Sequence, residues 1–191
     1  MALTINHQTN DISATSGSVT LDGSAVGGGG GAWNLISTTT VSSATASVAF
    51  TSIGSYNRYV LLWDCTMSSA QIPMIQIYDN GTLETGSNYS MMRAKIDSGN
   101  SYDTTYSGWI GTTGMTSIIG RFDISTAAPR ATIEMAYGGF EGTTDIANLT
   151  LVNGGMKSTY SITDIDGFNF RTTAGTDVIS SGRFSLYGVS Q

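Results

Sequence analysis

The longest apolar stretch of the chain runs from Tyr56 to Met67 and alternates with a period of two residues. On one face every side chain is apolar, namely Tyr59, Leu61, Trp63, Cys65 and Met67. This period predicts a β-strand with an apolar inner face. Val60 and Leu62 on the second face indicate that this side is also partly covered. We therefore predict that the strand lies near the centre of a sheet.

Similar but shorter alternations follow one another along the chain after Ala32, at the spacing of about 8–12 residues that is typical of β-sandwiches. No amphipathic helix of convincing length and no internal repeat interrupts them. About nine or ten strands predict an all-β domain, an antiparallel two-sheet jelly-roll-like sandwich. The predicted strands are Trp33–Val41, Ala46–Thr51, Tyr56–Met67, Gln71–Tyr78, Asn88–Ile96, Met115–Ile124, Ala131–Tyr137, Ile146–Val152, Ile162–Arg171 and Phe184–Gly188.

Glycine, asparagine and proline mark the predicted connections between these strands. Asp79–Gly81 favours a tight hairpin turn, because Asn and Gly tolerate positive φ. Asn153–Gly155 is predicted to be a second turn, and Ser125–Pro129 to connect a hairpin. Asp97–Gly114 and Gly138–Asp145 are predicted to be longer loops, the first with a short strand inside it.

Five consecutive glycines, Gly27–Gly31, precede the first of these strands. A phosphate-binding loop needs spaced glycines followed by Lys-Ser/Thr or a helix, whereas here a predicted strand follows at Trp33. The run therefore predicts a linker. It divides the chain into an extended N-terminal arm with its linker, residues 1–31, and a β-sandwich domain, residues 32–191.

The arm contains too few apolar residues for a core of its own. Two short extended pieces, Leu3–Gln8 and Ser18–Leu21, are predicted on either side of a polar turn at Asn10–Gly17. An arm of this length without a core is expected to lie on another protein surface.

The charge content of the chain restricts its partners. Charged residues make up 12% of the 191 residues, about half of the usual ~25%, and the net charge is −6. Low charge weakens repulsion between copies, which favours an ordered assembly, although secreted β-proteins have a similar composition. The eight Lys and Arg residues are scattered singly, so nucleic acid is not an expected partner. The sequence contains no run of 18 apolar residues, so it predicts no membrane-spanning helix.

Residues that support catalysis or metal binding are sparse. His7 is the only histidine and falls in the arm, and Cys65, the only cysteine, falls on an inner strand face. A Ser-His-Asp or Cys-His arrangement needs a positioned base, and a zinc site needs three or four ligands. We therefore predict no enzymatic activity, no cofactor and no metal.

Asp164 and Asp166 before Gly167 have the spacing at which a calcium loop begins. No glutamate follows Glu141 to complete such a loop, and alternation places both aspartates outward with Ile165 inward. Solvent-facing carboxylates are the favoured interpretation. A pair of glycosidase carboxylates is a minor alternative.

The predicted loop Asp97–Gly114 carries Tyr102, Tyr106 and Trp109 among short polar residues. Aromatic rings in such surroundings form subunit interfaces, cap a core or contact glycans, and all three alternatives are kept here. Phe140 is predicted at the tip of the second loop, with the same alternatives of interface or glycan contact.

Several segments resemble a β-sandwich domain of tailed-bacteriophage structural proteins, found in capsid decoration (cement) proteins and in tail fibres. In the domain these are Trp33-x-Leu35-Ile36, Phe50-Thr51-x-Ile53, Tyr56-x-x-Tyr59 and Gly182–Gly188. The segments Gln8–Ser13 and Val19–Gly23 resemble attachment segments of such proteins.

The resemblance implies a virion protein with no catalytic residues. Its implied role is a decoration protein that binds the major capsid protein and stabilises the head, or alternatively a tail-fibre protein that contacts host glycan. It also implies a homotrimer. We expect the arm to attach to the capsid through Ile5, His7, Ile12, Val19 and Leu21.

Overall fold

The computed structural model divides into two compact units, Met1–Gly31 and Ala32–Gln191, which are described separately. It describes residues 3–6, 11–14, 19–21, 24–26, 33–95, 99–106, 108–111, 114–126, 131–141, 144–158, 160, 162, 164–176 and 178–189. For residues 3–26, 95, 99–106, 140–141 and 144–148 this description covers the backbone alone. No helix among these residues is long and apolar enough to cross a membrane.

The described part of the N-terminal unit consists of two short antiparallel strand pairs. β1 (Leu3–Asn6) pairs with β2 (Asp11–Ala14), and β3 (Val19–Leu21) pairs with β4 (Ser24–Val26). The predicted turn at Asn10–Gly17 is therefore wrong for the residues of β2. Neither β2 nor β4 was predicted as a strand, because three or four residues are too few to show a period.

The described residues of the second unit form thirteen strands, all joined by antiparallel pairing. They are β5 (Trp33–Val41), β6 (Ser47–Thr51), β7 (Arg58–Gln71), β8 (Pro73–Asp79), β9 (Thr82–Leu83), β10 (Tyr89–Lys95), β11 (Gly99–Tyr106), β12 (Trp109–Ile110), β13 (Met115–Ser125), β14 (Thr132–Glu141), β15 (Thr144–Met156), β16 (Ile165–Thr172) and β17 (Ile179–Val189).

Eight of these strands form a jelly roll. One sheet contains β5-β17-β7-β13 side by side, and the other contains β6-β16-β8-β12. Among these eight strands, the chain passes from sheet to sheet at each step from β5 to β8 and again at each step from β12 through β13 and β16 to β17. This order is that of the jelly roll with its two Greek keys. The predicted fold class, an antiparallel two-sheet sandwich, is confirmed.

Two inserted strand pairs make the first sheet much wider than the second. β10 and β11 are inserted between β8 and β12, and β14 and β15 between β13 and β16. The resulting order is β11-β10-β15-β14-β13-β7-β17-β5, opposite a second sheet of order β12-β8-β16-β6 to which β9 is attached. The larger sheet, which we call the large sheet, therefore has an outer face eight strands wide.

The core is organised around β7, which pairs with β13 on one side and β17 on the other. Its five predicted inward side chains are all buried, as is Val60 on the second face. Aromatic rings of β16 join the two sheets. Phe168 lies 5.3 Å from Tyr59, and Phe170 lies 5.2 Å from Trp63, measured between ring centroids.

Some predicted loops are strands in the structure. Asp97–Gly114 contains β11 and β12, β14 continues to Glu141, and Asn153–Gly155 lies inside β15 between β10 and β14. Glycine misled the prediction, because here it permits close strand approach: a Cβ at Gly154 would overlap the carbonyl oxygen of Ser90. The Asp79–Gly81 hairpin turn is confirmed, with φ of 51° at Asn80 and 75° at Gly81.

Candidate interaction surface

The outer face of the large sheet carries all the large apolar side chains that are exposed in the described part of the chain. Neighbours along each strand are buried, such as Ile118 next to Ile119 and Thr150 between Leu149 and Leu151, so the exposed residues point away from the core. The exposed fractions are 41% for Trp33, 57% for Leu35, 49% for Met92, 65% for Ile119, 41% for Leu149 and 39% for Leu151. We call this surface the outer face.

Strand register gathers most of these residues on the middle strands of the sheet. Gly138 on β14 lies between Ile119 on β13 and Leu149 on β15, and Ala136 lies opposite Leu151. Both β14 residues are small and half-buried, and they lie between Ile119 and Arg121 of β13 on one side and Leu149 and Leu151 of β15 on the other. We define the apolar patch as Met92, Ala94, Ile119, Ala136, Gly138, Leu149 and Leu151, none of which is charged.

An arginine cluster adjoins the apolar patch. The buried carboxylate of Asp123 accepts hydrogen bonds from Nε and Nη2 of Arg58, at 2.9 and 2.6 Å, and from Nε of Arg121. The hydrogen bond to Asp123 raises the pKa of the Arg121 guanidinium. Arg121 also lies 5.1 Å from the ring centroid of Trp33, whose ring meets Tyr187 edge-on. These contacts pair the carboxylate of Asp123 with two guanidinium groups.

A depression of about 380 Å³ opens between Ile119 and Tyr187. Leu62 lies on its floor, and Asp64 and Arg183 lie opposite each other in the register of β7 and β17. Together with the arginine cluster and Glu134, the pair of Asp64 and Arg183 makes the positive and negative charges on the outer face equal in number. Its described charges are three arginines (Arg58, Arg121 and Arg183) and three carboxylates (Asp64, Asp123 and Glu134).

Trp109, predicted as an interface, core or glycan residue, lies in the core with no exposed surface. Its ring is 4.9 Å from Tyr89 and 5.5 Å from Phe122, and its Nε1 donates a 3.3 Å hydrogen bond to the carbonyl oxygen of Gly155. This position agrees with the core alternative and offers no surface to a glycan or a neighbouring subunit.

The other predicted contact residues are placed only by their backbone. Tyr102 and Tyr106 belong to β11 at the edge of the large sheet, where Tyr102 is opposite Met92. Phe140 belongs to β14, opposite Ser117. Their side chains lie outside the described residues, so their contact roles stay predictions.

The predicted attachment residues of the arm also stay predictions. Ile5, Ile12, Val19 and Leu21 belong to short strands whose side chains lie outside the described residues. His7 lies entirely outside them.

Asp164 is exposed and Ile165 is buried, as predicted, whereas Asp166, also predicted to face solvent, is half-buried. The carboxylates at this end bind backbone amides: Oδ2 of Asp166 accepts from the Gly81 amide at 2.7 Å, and Oδ1 of Asp79 accepts from the Asp164 amide at 2.8 Å. Burial and a hydrogen bond to Asp79 raise the pKa of Tyr160. Among the described residues, no three His, Cys, Asp or Glu side chains are grouped to hold a metal ion.

Cys65 lies on the inner face of β7, as predicted, and is 2% exposed. Burial, with a smaller contribution from the negative charge of Asp64, raises the pKa of its thiol to about 12. Only the thiolate is an effective nucleophile, so the buried thiol is inert at neutral pH.

We expect Cys65 to resist a thiol-reactive dye at pH 8 in the folded protein and to react with one equivalent in denaturant. The raised pKa of the thiol also links stability to pH. Above ~8.5, the pKa of an unfolded cysteine, the unfolded chain loses the thiol proton while the folded chain keeps it. The free energy of unfolding therefore falls as pH rises towards 12. Absorbance of the released dye measures the reaction. Rapid labelling without denaturant would contradict the burial.

The sequence analysis missed the apolar patch. Its signal lies in the adjacent apolar pairs Met91-Met92 and Ile118-Ile119, where strict alternation would place a polar residue outward.

Comparisons with protein-family models, with curated proteins and with solved structures found no match for this chain.

Proposed function

We propose that the protein is a structural component of a tailed-phage particle, a decoration protein that binds the coat lattice and stabilises the head. The observation that supports a structural role is the exposure of large apolar side chains on the outer face, where the described positive and negative charges are equal in number. Contiguous apolar surface on a soluble domain marks a site for another protein. The phage context is supported by the resemblance of Trp33–Ile36, Tyr56–Tyr59 and Gly182–Gly188 to virion proteins.

A decoration protein catalyses no reaction and acts through binding alone. Each copy buries area against its neighbours, and apolar area contributes roughly 25 cal/mol per Å² when it is removed from water. Contacts that bridge coat subunits oppose the outward pressure of the packaged genome. The compensated Asp123 and the inert Cys65 agree with a role that needs no reactive group.

Phage heads that lack the protein are expected to release DNA at a lower temperature, or after a milder osmotic shock, than complete heads. DNA release followed with an intercalating dye measures the difference. Re-addition of the purified full chain should restore the survival of complete heads. Equal survival of the two kinds of head would overturn the cement role.

A second candidate, a tail-fibre protein that contacts host glycan, is favoured by Trp33. Its exposed ring is flanked by Tyr187 and Arg121, and Arg121 is followed on β13 by Asp123, which lies opposite Glu134 on β14. Aromatic faces beside polar groups suit sugars. Localisation decides between the candidates: many copies over the head support decoration, whereas a few at the tail, with glycan binding lost in Trp33→Ala, support the fibre.

A further inference from the structure

We propose that the apolar patch binds the same patch of a second copy, so that two chains pair through their large sheets about a two-fold axis. This inference does not rest on the phage role, because self-association is a property of the isolated protein. In such a pair each copy uses the same surface.

The shape of the apolar patch fits a copy of itself. Ile119 is the most exposed large apolar residue on the outer face, and the β14 residues beside it, Gly138 and Ala136, are small and half-buried. The patch thus contains both a ridge and a depression. When two patches face each other, each Ile119 packs over Gly138 and Ala136 of the other copy.

The charge of the chain also points to this surface. Two copies, each of net charge −6, repel one another when acidic surfaces meet. Asp79, Glu84, Asp164 and Asp166 all lie outside the outer face, on or beside the second sheet. The apolar patch has no charge, and its neighbour Asp123 is already paired with Arg58 and Arg121. Two copies therefore meet through this patch without opposing like charges.

The outer face is large enough for a stable pair. Neighbouring strands lie about 4.8 Å apart and each residue advances ~3.3 Å, so eight strands of about ten residues offer roughly 1,200 Å². A standard interface buries ~800 Å² on each partner. The apolar patch occupies four adjacent inner strands, β13, β14, β15 and β10, and the charged residues Arg121, Asp123 and Asp64 lie beside it on β13 and β7. An uncharged centre with a polar rim is the usual anatomy of an interface.

The test is the mass of the full chain in solution across a concentration series, measured by sedimentation equilibrium. We expect a dimer in wild type and a dissociation constant raised at least ~100-fold by Ile119→Lys, because each dimer loses two buried side chains and gains two buried charges. Leu151→Lys on β15 should act in the same way. Both residues are exposed in the single chain, so folding should be retained, as circular dichroism can check.

The matched control is Thr51→Lys, which makes the same charge change at an exposed position of β6 on the second sheet, away from the outer face. Its dissociation constant should stay within ~3-fold of wild type. A wild-type monomer overturns the proposal. So does a dimer that survives both patch variants. A trimer, the assembly implied by the phage resemblance, also overturns it, because a cyclic trimer joins two different surfaces of each copy.

Discussion

Replacement of Phe168 by alanine is expected to lower the free energy of unfolding by about 3–5 kcal/mol, the usual cost of deleting a buried phenylalanine ring. Phe168 on β16 is completely buried. Its ring lies 5.3 Å from that of Tyr59 and 5.9 Å from that of Phe122, both on the large sheet. The variant therefore leaves a cavity at a point where the two sheets meet.

Urea unfolding followed by circular dichroism measures this loss. Phe168→Leu, which keeps part of the apolar volume, should cost less than Phe168→Ala. Thr66→Ala, at an exposed position of β7, should change stability by no more than ~0.5 kcal/mol. A loss below ~1 kcal/mol in Phe168→Ala would mean that β16 does not hold the two sheets together at this point.

The inner face of the sandwich was predictable because burial on one side of a strand imposes a period of two residues. Tyr59, Trp63 and Phe168 followed this rule, and each lies in the core. The antiparallel two-sheet sandwich also followed from the spacing of the strands. Strand order did not, because register depends on contacts between segments far apart in the chain.

The secondary-structure prediction failed mainly at β11 and at the glycine-containing parts of β14 and β15, which were assigned to loops and turns. Gly138, Gly139, Gly154 and Gly155 looked like loop and turn residues, yet all four lie in strands. A Cβ at Gly139 would overlap the carbonyl oxygen of Ser117 on the next strand. Composition alone does not distinguish a glycine that turns the chain from one that admits a neighbouring backbone.

The outer face was beyond prediction for a related reason. Ile119, Leu149 and Met92 are far apart in sequence, and only the strand order β13-β14-β15-β10 brings them together. The pair Ile118-Ile119 is equally compatible with a strand buried on both faces. The sequence analysis instead favoured aromatic residues in an apparent loop, and the one whose side chain is described, Trp109, belongs to the core.

Trp109→Ala is expected to cost about 3–5 kcal/mol of unfolding free energy, because a fully buried indole is removed. β12 is only two residues long, and it pairs with β8 through Trp109 opposite Ile75. The indole packs edge-on against Tyr89 on β10 and donates to the carbonyl oxygen of Gly155 on β15. Its loss should therefore weaken the attachment of the inserted strands to the second sheet, besides opening a cavity.

Trp33→Ala is the matched control, since the same side chain is removed from a position that is 41% exposed on the outer face. Its cost should stay below ~1.5 kcal/mol, because only the contacts with Tyr187 and Arg121 are lost. Urea unfolding of both variants separates the two roles. Comparable costs would contradict the burial of Trp109, whereas a large difference assigns Trp109 to stability and leaves Trp33 as the tryptophan available to a ligand or partner.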